Sequence, residues 1–215
     1  MFLKDRKDAG KKLAALLSEY KGRDAVVCAI PRGGVIVGAE IAKELEAELD
    51  LVIPRKIGHP ENPEYAVCAI TETGLPVFSE REAQFAGTRW LEDEIGKAKV
   101  EIRRRREEYL GETHRSHMEG KVVILVDDGI ATGLTMMAAI VGLKANSPGK
   151  LIVAVPVIPY PAAKLIEPLV DSIAALLKEK TYISAVSEYY EDFSQVGDDA
   201  VKRAIWSAAD NTETE

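Results

Sequence analysis

The chain has 215 residues, of which 47% are apolar and 29% charged, and its formal net charge is −7. This length suffices for one sizeable hydrophobic core and leaves one or two domains open, while the acidic balance argues against a general nucleic-acid binder. No apolar run approaches the ~20 residues of a membrane-spanning helix, and residues 1–12 lack the apolar stretch of a signal peptide. We therefore expect a cytoplasmic protein without nucleic-acid or membrane partners.

Segments typical of strands alternate with segments typical of helices, and this alternation favours parallel βαβ units. We predict helices over residues 8–20, 35–49, 89–109, 136–144 and 162–170. We predict strands over residues 25–30, 51–53, 122–126, 150–157 and 172–177, and a hairpin of residues 65–70 with 76–78. The expected fold class is α/β, a three-layer domain with a central parallel sheet flanked by helices. Residues 1–209 are expected to form a single domain, and the polar residues 210–215 a disordered tail.

The two cysteines predict the redox environment. Cys28 and Cys68 both lie in apolar, strand-like runs, without the spacing to a second cysteine or a histidine that a metal site would need. Two buried free thiols are therefore expected, in preference to a disulfide or a metal site.

The most informative stretch, residues 122–135, reads Val-Val-Ile-Leu-Val-Asp-Asp-Gly-Ile-Ala-Thr-Gly-Leu-Thr. Its apolar, mostly β-branched start is typical of a strand buried on both faces. Asp127 and Asp128 follow at once, and a turn over residues 132–135 then leads into a helix. Paired acids suit a sugar diol, and free amides, hydroxyls and a helix N-terminus suit a phosphate, so the stretch predicts a ribose 5-phosphate site. The alternative is an ordinary strand end followed by a helix with Thr132 as its N-cap.

Basic and glycine-rich residues follow two earlier predicted strands. Pro31-Arg32-Gly33-Gly34 comes first: its glycines permit close approach of the backbone, and Arg32 offers forked donors suited to phosphate oxygens. Arg55 and Lys56 follow the next strand, and ligands of open parallel sheets bind beyond the carboxyl ends of the strands. The alternatives are a tight turn at the glycines and solvated charge at Arg55 and Lys56.

Two further runs are each open to two interpretations. The four arginines 103–106 lie in a helix with acidic neighbours, which favours a solvated or subunit-facing surface over a ligand site. The aromatic run 183–193 either stacks on a ligand or fixes the terminus to the core through Tyr189, Tyr190 and Phe193.

Residues 122–135 closely resemble the phosphoribosyl diphosphate (PRPP) signature of type I phosphoribosyltransferases: four or five apolar residues, two acids and a Thr-Gly-x-Thr loop. The resemblance implies that the ribose hydroxyls, and Mg²⁺ directly or through water, are held by Asp127 and Asp128. It implies that the 5′-phosphate is held by Ala131, Thr132, Gly133, Leu134 and Thr135. It places pyrophosphate-binding groups at Arg32, Gly33, Arg55 and Lys56, and adds a small hood built from terminal and inserted segments.

The function implied by this resemblance is Mg²⁺-dependent transfer of a 5-phosphoribosyl group from PRPP to an acceptor, a nitrogenous base, with release of pyrophosphate. Some purine-specific members have an Asp where this chain has Ala131, so the acceptor is left open. The resemblance is compatible with a homo-oligomer, most simply a dimer. Two other functions stay open: a non-catalytic regulatory protein that binds PRPP or a nucleotide, and an enzyme that uses the same site for phosphorolysis or hydrolysis.

Overall fold

The structure is a computed structural model and describes residues 3–79, 82–111, 116–180 and 185–209. The predicted tail at residues 210–215 lies outside this part of the chain. The helices are α1 (Arg6–Leu16), α2 (Gly33–Leu45), α3 (Arg89–Leu110), α4 (Leu134–Lys144), α5 (Tyr160–Ile166) and α6 (Asp198–Ala209). The strands are β1 (Ala25–Ala29), β2 (Glu48–Leu51), β3 (Arg55–His59), β4 (Asn62–Ile70), β5 (Val77–Phe78), β6 (Val122–Val126), β7 (Lys150–Pro159) and β8 (Ser172–Glu179).

The main sheet has five parallel strands in the order β2-β1-β6-β7-β8. The predicted α/β class with a central parallel sheet is thereby confirmed. β1 and β6 are neighbours, with Ala29 opposite Val126 at their carboxyl ends. From β1 the chain proceeds outward to β2, whereas from β6 it proceeds to β7 on the opposite side. Connections that diverge in this way open a crevice at the strand ends, where ligands of α/β proteins bind.

Helices cover both faces of this sheet. Val27, Ile124 and Ala154 belong to the hydrophobic cluster that includes the buried face of α2, whereas Val26, Val123 and Val153 belong to the cluster that includes α4. Successive side chains of a strand point to opposite faces, so a strand covered on both sides is apolar throughout. This burial explains the uninterrupted apolar sequence of residues 122–126.

A second sheet is antiparallel, in the order β3-β4-β5. The predicted hairpin is confirmed, with Cys68 opposite Phe78 in the pairing of β4 with β5. The segment after β4 lies close against α4 at Gly142, where a Cβ atom would stand 2.2 Å from Thr71 Oγ1. Glycine at this position therefore lets the small sheet approach the helix.

The boundary between α2 and β2 was predicted wrongly. The helix predicted over residues 35–49 from the four-residue spacing of Val37, Ile41, Leu45 and Leu49 ends at Leu45, because Glu46 adopts a left-handed conformation with φ 56°. Leu49 lies instead in β2, beside Val27 of β1. The strand predicted over residues 51–53 accordingly begins at Glu48 and ends at Leu51.

Two elements were missed. β3 has the sequence Arg-Lys-Ile-Gly-His, in which only Ile57 is buried, and it exists because it pairs with β4. α6 buries Val201, Ile205 and Ala208 in the same cluster as α2. None of the described helices combines the length and the apolarity that crossing a membrane requires.

Candidate functional site

Two loops meet in the crevice between β1 and β6. The loop after β1 leads directly into α2, which begins at Gly33, and the loop after β6 carries Asp127 and Asp128. A Cβ atom on Gly33 would stand 1.8 Å from Asp128 Oδ2, and one on Gly34 would stand 3.0 Å from Asp127 Oδ1. The glycines are therefore required because the backbone of one loop lies directly against the carboxylates of the other.

The two carboxylates differ in environment. The Asp128 backbone amide donates a hydrogen bond to Asp127 Oδ1 at 2.8 Å. Burial, together with the neighbouring Asp128 carboxylate, raises the pKa of Asp127 well above its ordinary value. Asp128 Oδ2 accepts a hydrogen bond from Arg6 Nε at 2.7 Å. The pair therefore combines one carboxyl group that resists ionisation with one that is held by a cation.

Arg6 was missed by the sequence analysis. Its side chain is 10% exposed, its guanidinium lies 3.8 Å from the centre of the Phe193 ring, and its NH1 donates to the Ser194 carbonyl at 2.8 Å. A sequence signal did exist, because Arg6 stands on the buried face of α1 with Ala9, Gly10 and Leu13. The predicted helix began at residue 8 and left this arginine out.

The C-terminal aromatic segment braces the acid pair. The Tyr190 hydroxyl donates to the Asp128 carbonyl at 2.7 Å, and Leu3 pairs with Tyr190 in an isolated bridge. Tyr189 and Tyr190 are buried, which confirms that these two tyrosines attach the terminus to the core. Phe193 is half-buried and contacts Arg6 at the site itself. Residues 183 and 184 of the predicted aromatic run lie outside the described residues.

The turn after the acid pair forms the N-terminus of α4. Gly133 is the N-cap, with φ 87°, and no side chain caps the helix. The alternative in which Thr132 caps this helix was therefore wrong: Thr132 is exposed. The first amides of a helix have no intrahelical partner, so both α2 and α4 direct free N–H groups and positive dipole ends toward the crevice.

A cavity of about 340 Å³ adjoins the acid pair and is lined by Arg6, Arg32, Gly33, Phe193, Gln195 and Val196. Arg32 NH1 lies 3.9 Å from Asp198 Oδ1, and the same carboxylate oxygen accepts a hydrogen bond from the Tyr109 hydroxyl. Two guanidinium groups and an aromatic ring therefore face one space beside the carboxylates. This composition suits an anionic or planar ligand.

Arg55 and Lys56 are not among the residues that line this cavity. They open β3 in the second sheet instead of following a strand of the parallel sheet. Both are exposed, and Arg55 NH1 lies 4.0 Å from Glu101 Oε1 on α3. Their predicted place directly after a strand of the parallel sheet was wrong, because β2 ends at Leu51 and residues 52–54 carry the chain into β3. Their role in binding pyrophosphate stays a prediction.

The thiols are structural. Cys28 and Cys68 are free and fully buried, as predicted. Burial raises the pKa of Cys68 to about 11 and that of Cys28 well above its ordinary range.

The acid pair suits Mg²⁺ only in a site that water and substrate complete. Within residues 3–79, 82–111, 116–180 and 185–209, no group of three or more His, Cys, Asp or Glu side chains is placed to hold a metal ion. Mg²⁺ commonly binds through one or two carboxylates, completing its shell with water and substrate phosphates. Asp127 and Asp128 supply hard oxygen donors of that kind, so they suit a shared site and not a cage made by protein alone.

Comparison with known proteins agrees with this geometry. The family model described as "Phosphoribosyl transferase domain" matches residues 3–193. The chain belongs to the phosphoribosyl transferase family. The family inferred from residues 122–135 is therefore confirmed.

Similar proteins extend the match over most of the chain. "Putative phosphoribosyl transferase Rv0571c" from Mycobacterium tuberculosis is 36% identical over 201 residues, which is 92% of this chain and 45% of that protein. The chain thus spans about half the length of the curated relatives it matches. The solved structure of TT1426 from Thermus thermophilus is 36% identical, with a TM-score of 0.82, over 95% of this chain and 98% of that one.

Proposed function

We propose that this domain transfers a 5-phosphoribosyl group from PRPP to an acceptor, a nitrogenous base, and releases pyrophosphate in a Mg²⁺-dependent reaction. The observation that carries the proposal is the contact of the Arg32-Gly33-Gly34 loop with Asp127 and Asp128 at the divergence of β1 and β6. This contact brings the acid pair beside the N-termini of α2 and α4, an arrangement that supports binding of a sugar phosphate.

The carboxylates hold the ribose. One oxygen of each is engaged by the protein, Asp127 Oδ1 by an amide and Asp128 Oδ2 by Arg6. The two carboxyl groups also interact with each other, and their remaining oxygen lone pairs would accept hydrogen bonds from the two adjacent ribose hydroxyls. Arg6 then acts as a positioning residue, because it fixes the plane of the Asp128 carboxylate.

The phosphates occupy the helix N-termini. Amides of residues 131–135 and the hydroxyls of Thr132 and Thr135 hold the 5′-phosphate, while Gly33 and Arg32 hold the pyrophosphate. As the C1′–O bond breaks, positive charge develops at C1′ and negative charge on the departing pyrophosphate. Preorganised donors stabilise that separation of charge. Mg²⁺ bound with the substrate would neutralise part of the negative charge on the pyrophosphate. Arg55 and Lys56 would add positive charge there only if the ligand extends to β3.

The acceptor is the least determined part. Ala131 provides no carboxylate to read a purine ring, so slow or no turnover is expected with hypoxanthine and guanine. The cavity beside Phe193 and Gln195 offers a ring face and an amide to a planar base. A cytoplasmic location and a homodimer belong to this proposal as well.

A Mg²⁺–PRPP titration by calorimetry, followed by a pyrophosphate-release screen over purines, pyrimidines and ring amines, tests the proposal. We expect PRPP to bind and at least one acceptor to release pyrophosphate. The Asp127→Asn/Asp128→Asn variant should bind PRPP roughly tenfold more weakly or worse, because both carboxyl groups that bond to the ribose hydroxyls are replaced by neutral amides. Unchanged affinity in this variant, or no PRPP binding by the native protein, would overturn the assignment.

One observation supports the alternative of a non-catalytic regulatory protein that binds PRPP or a nucleotide. The residues that line the cavity include neither a carboxylate nor an imidazole, so the lining itself supplies no general base for an acceptor. PRPP binding without turnover of any acceptor would favour a PRPP or nucleotide sensor. Phosphate- or water-dependent breakdown of a nucleotide would favour phosphorolysis or hydrolysis instead.

A further inference from the structure

A second cavity, of about 330 Å³, lies away from the acid pair. It is enclosed by the end of β2, the turn after β4, α3 and the C-terminal half of α4. None of the residues that line it belongs to the Arg32-Gly33-Gly34 loop or to residues 127–135. We call it the α3 cavity.

The four arginines at residues 103–106 face in different directions, and one of them lines the α3 cavity. Arg104 and Arg105 donate to Glu101 on the outer surface of α3. Arg106 points inward and pairs with the buried Asp50 at 2.5 Å. Arg103 lines the cavity and makes no ion pair with any residue in the described ranges. The four arginines therefore have different environments, and one of them faces the cavity unpaired.

Lys99 adds a second unpaired cation. It stands one turn before Arg103 on α3 and also lines the cavity, and among the described residues it too has no ion pair. Its side chain lies across the turn after β4, where a Cβ atom on Gly74 would meet Lys99 Nζ at 3.3 Å. Two exposed cations on one helix face thus border one concave space.

The carboxylates of the cavity do not cancel these charges. Asp50 is matched by Arg106, and its second oxygen accepts from the Ser116 amide at 3.1 Å. Glu72 Oε1 lies 3.9 Å from Arg106 NH1, and burial raises the pKa of Glu72. Arg106 therefore faces both carboxylates, whereas Lys99 and Arg103 face neither at ion-pair distance. In a chain with a net charge of −7, a concave surface with surplus positive charge indicates an anionic ligand.

Two buried polar atoms indicate the rest of the ligand. Glu72 Oε1 and Ser116 Oγ are inaccessible to solvent and have no hydrogen-bond partner in the described structure. Buried polar groups are nearly always hydrogen-bonded, so each unpaired one requires an explanation. A ligand hydroxyl would donate to Glu72 Oε1, and Ser116 Oγ is able to donate or accept.

We propose that the α3 cavity binds a small phosphate ester that carries hydroxyl groups. The phosphate lies against Lys99 and Arg103, and the hydroxyls bond to Glu72 and Ser116. The cavity volume of about 330 Å³ is at the lower end of the range of small-molecule sites. This site is independent of the proposed transfer reaction.

The test uses glycerol 3-phosphate, titrated by calorimetry at low ionic strength into the full chain. We expect saturable binding that weakens by on the order of tenfold or more in Lys99→Gln/Arg103→Gln, because both charge-assisted contacts are lost. The matched control is Lys97→Gln/Arg104→Gln, which removes two positive charges from the same helix. Lys97 and Arg104 are paired with Glu94 and Glu101 outside the cavity, so this control should bind like the native chain.

Three results would overturn the proposal. One is the absence of saturable binding at millimolar glycerol 3-phosphate, and another is equal affinity in the Lys99→Gln/Arg103→Gln variant. The third is loss of binding in Asp127→Asn/Asp128→Asn, which would assign the ester to the acid pair. Inorganic phosphate should bind more weakly than glycerol 3-phosphate, and equal affinity would contradict the role given to Glu72 and Ser116.

Discussion

Arg6 and Asp128 are 122 positions apart in the chain, and the Arg6 guanidinium donates to the Asp128 carboxylate at 2.7 Å. The contact joins the first helix to the loop after β6, and Phe193 and Ser194 of the C-terminal segment close around the same arginine. The first helix and the segment before α6 thus converge on one carboxylate of the candidate ribose site.

Arg6→Gln should weaken both the fold and the site. Removing a partly buried cation leaves Asp128 unpaired, and we expect a loss of about 1–3 kcal/mol in the free energy of unfolding. PRPP affinity should fall as well, because the Asp128 carboxylate is no longer held in one orientation. Denaturant titration and calorimetry measure the two effects. The control is Arg203→Gln, an exposed change on α6, which should alter neither the free energy of unfolding nor PRPP affinity. If Arg6→Gln also leaves both unchanged, the ion pair does not position Asp128.

Gly33→Ala should destabilise the fold, whereas Gly96→Ala should stabilise it. The added methyl group at residue 33 would stand 1.8 Å from Asp128 Oδ2 and 2.8 Å from Arg6 Nε, so the Arg6–Asp128 pair or the start of α2 must move. At Gly96, inside α3, the new Cβ atom meets nothing within 4 Å, and alanine should stabilise the helix by up to about 1 kcal/mol. Thermal melting and PRPP titration compare them. Undiminished PRPP binding by Gly33→Ala would contradict the close contact of the two loops.

Asp127 should make stability depend on pH. Burial and the adjacent Asp128 carboxylate raise its pKa in the folded protein, so between the unfolded and folded pKa values the folded state binds more protons. The stability contributed by protonated Asp127 is full below the unfolded pKa and is lost as pH rises through the folded one. Asp127→Asn should therefore gain stability relative to the native chain as pH increases from about 4. Denaturant titrations across pH measure this difference. The control is Asp93→Asn, an exposed change on α3. If the difference in free energy of unfolding between Asp127→Asn and the native chain does not change with pH, the raised pKa of Asp127 is contradicted.

The two thiols should be unreactive in the folded protein. Cys28 and Cys68 are fully buried, and the pKa of Cys68 is raised to about 11 by burial, so little thiolate exists at pH 8. A chromogenic disulfide reagent should modify neither cysteine until denaturant unfolds the chain, and then both. Rapid modification under native conditions would show that β1 or β4 opens locally.

Much of the candidate site was predictable from sequence because its parts are local. Residues 122–135 hold a strand, an acid pair and a helix start in one continuous run, and each part has its own side-chain signature. The loop at Arg32-Gly33-Gly34 was predictable for the same reason, since only glycine tolerates the close approach found there. Alternating apolar segments were enough to predict the parallel sheet, because strands buried on both faces are apolar throughout.

What the sequence alone determined is therefore the set of short-range features: the α/β alternation, the family, and the acid pair with the glycine-containing turn that follows it. Only the tertiary structure decided that Arg6 holds Asp128, that Leu49 lies in a strand, that β3 exists, and that Arg103 faces a cavity while Arg104 faces solvent. The physical reason is common to all four. Whether a charged residue is buried, or a short polar segment becomes a strand, depends on a partner far away in the chain, and such partners leave no local pattern.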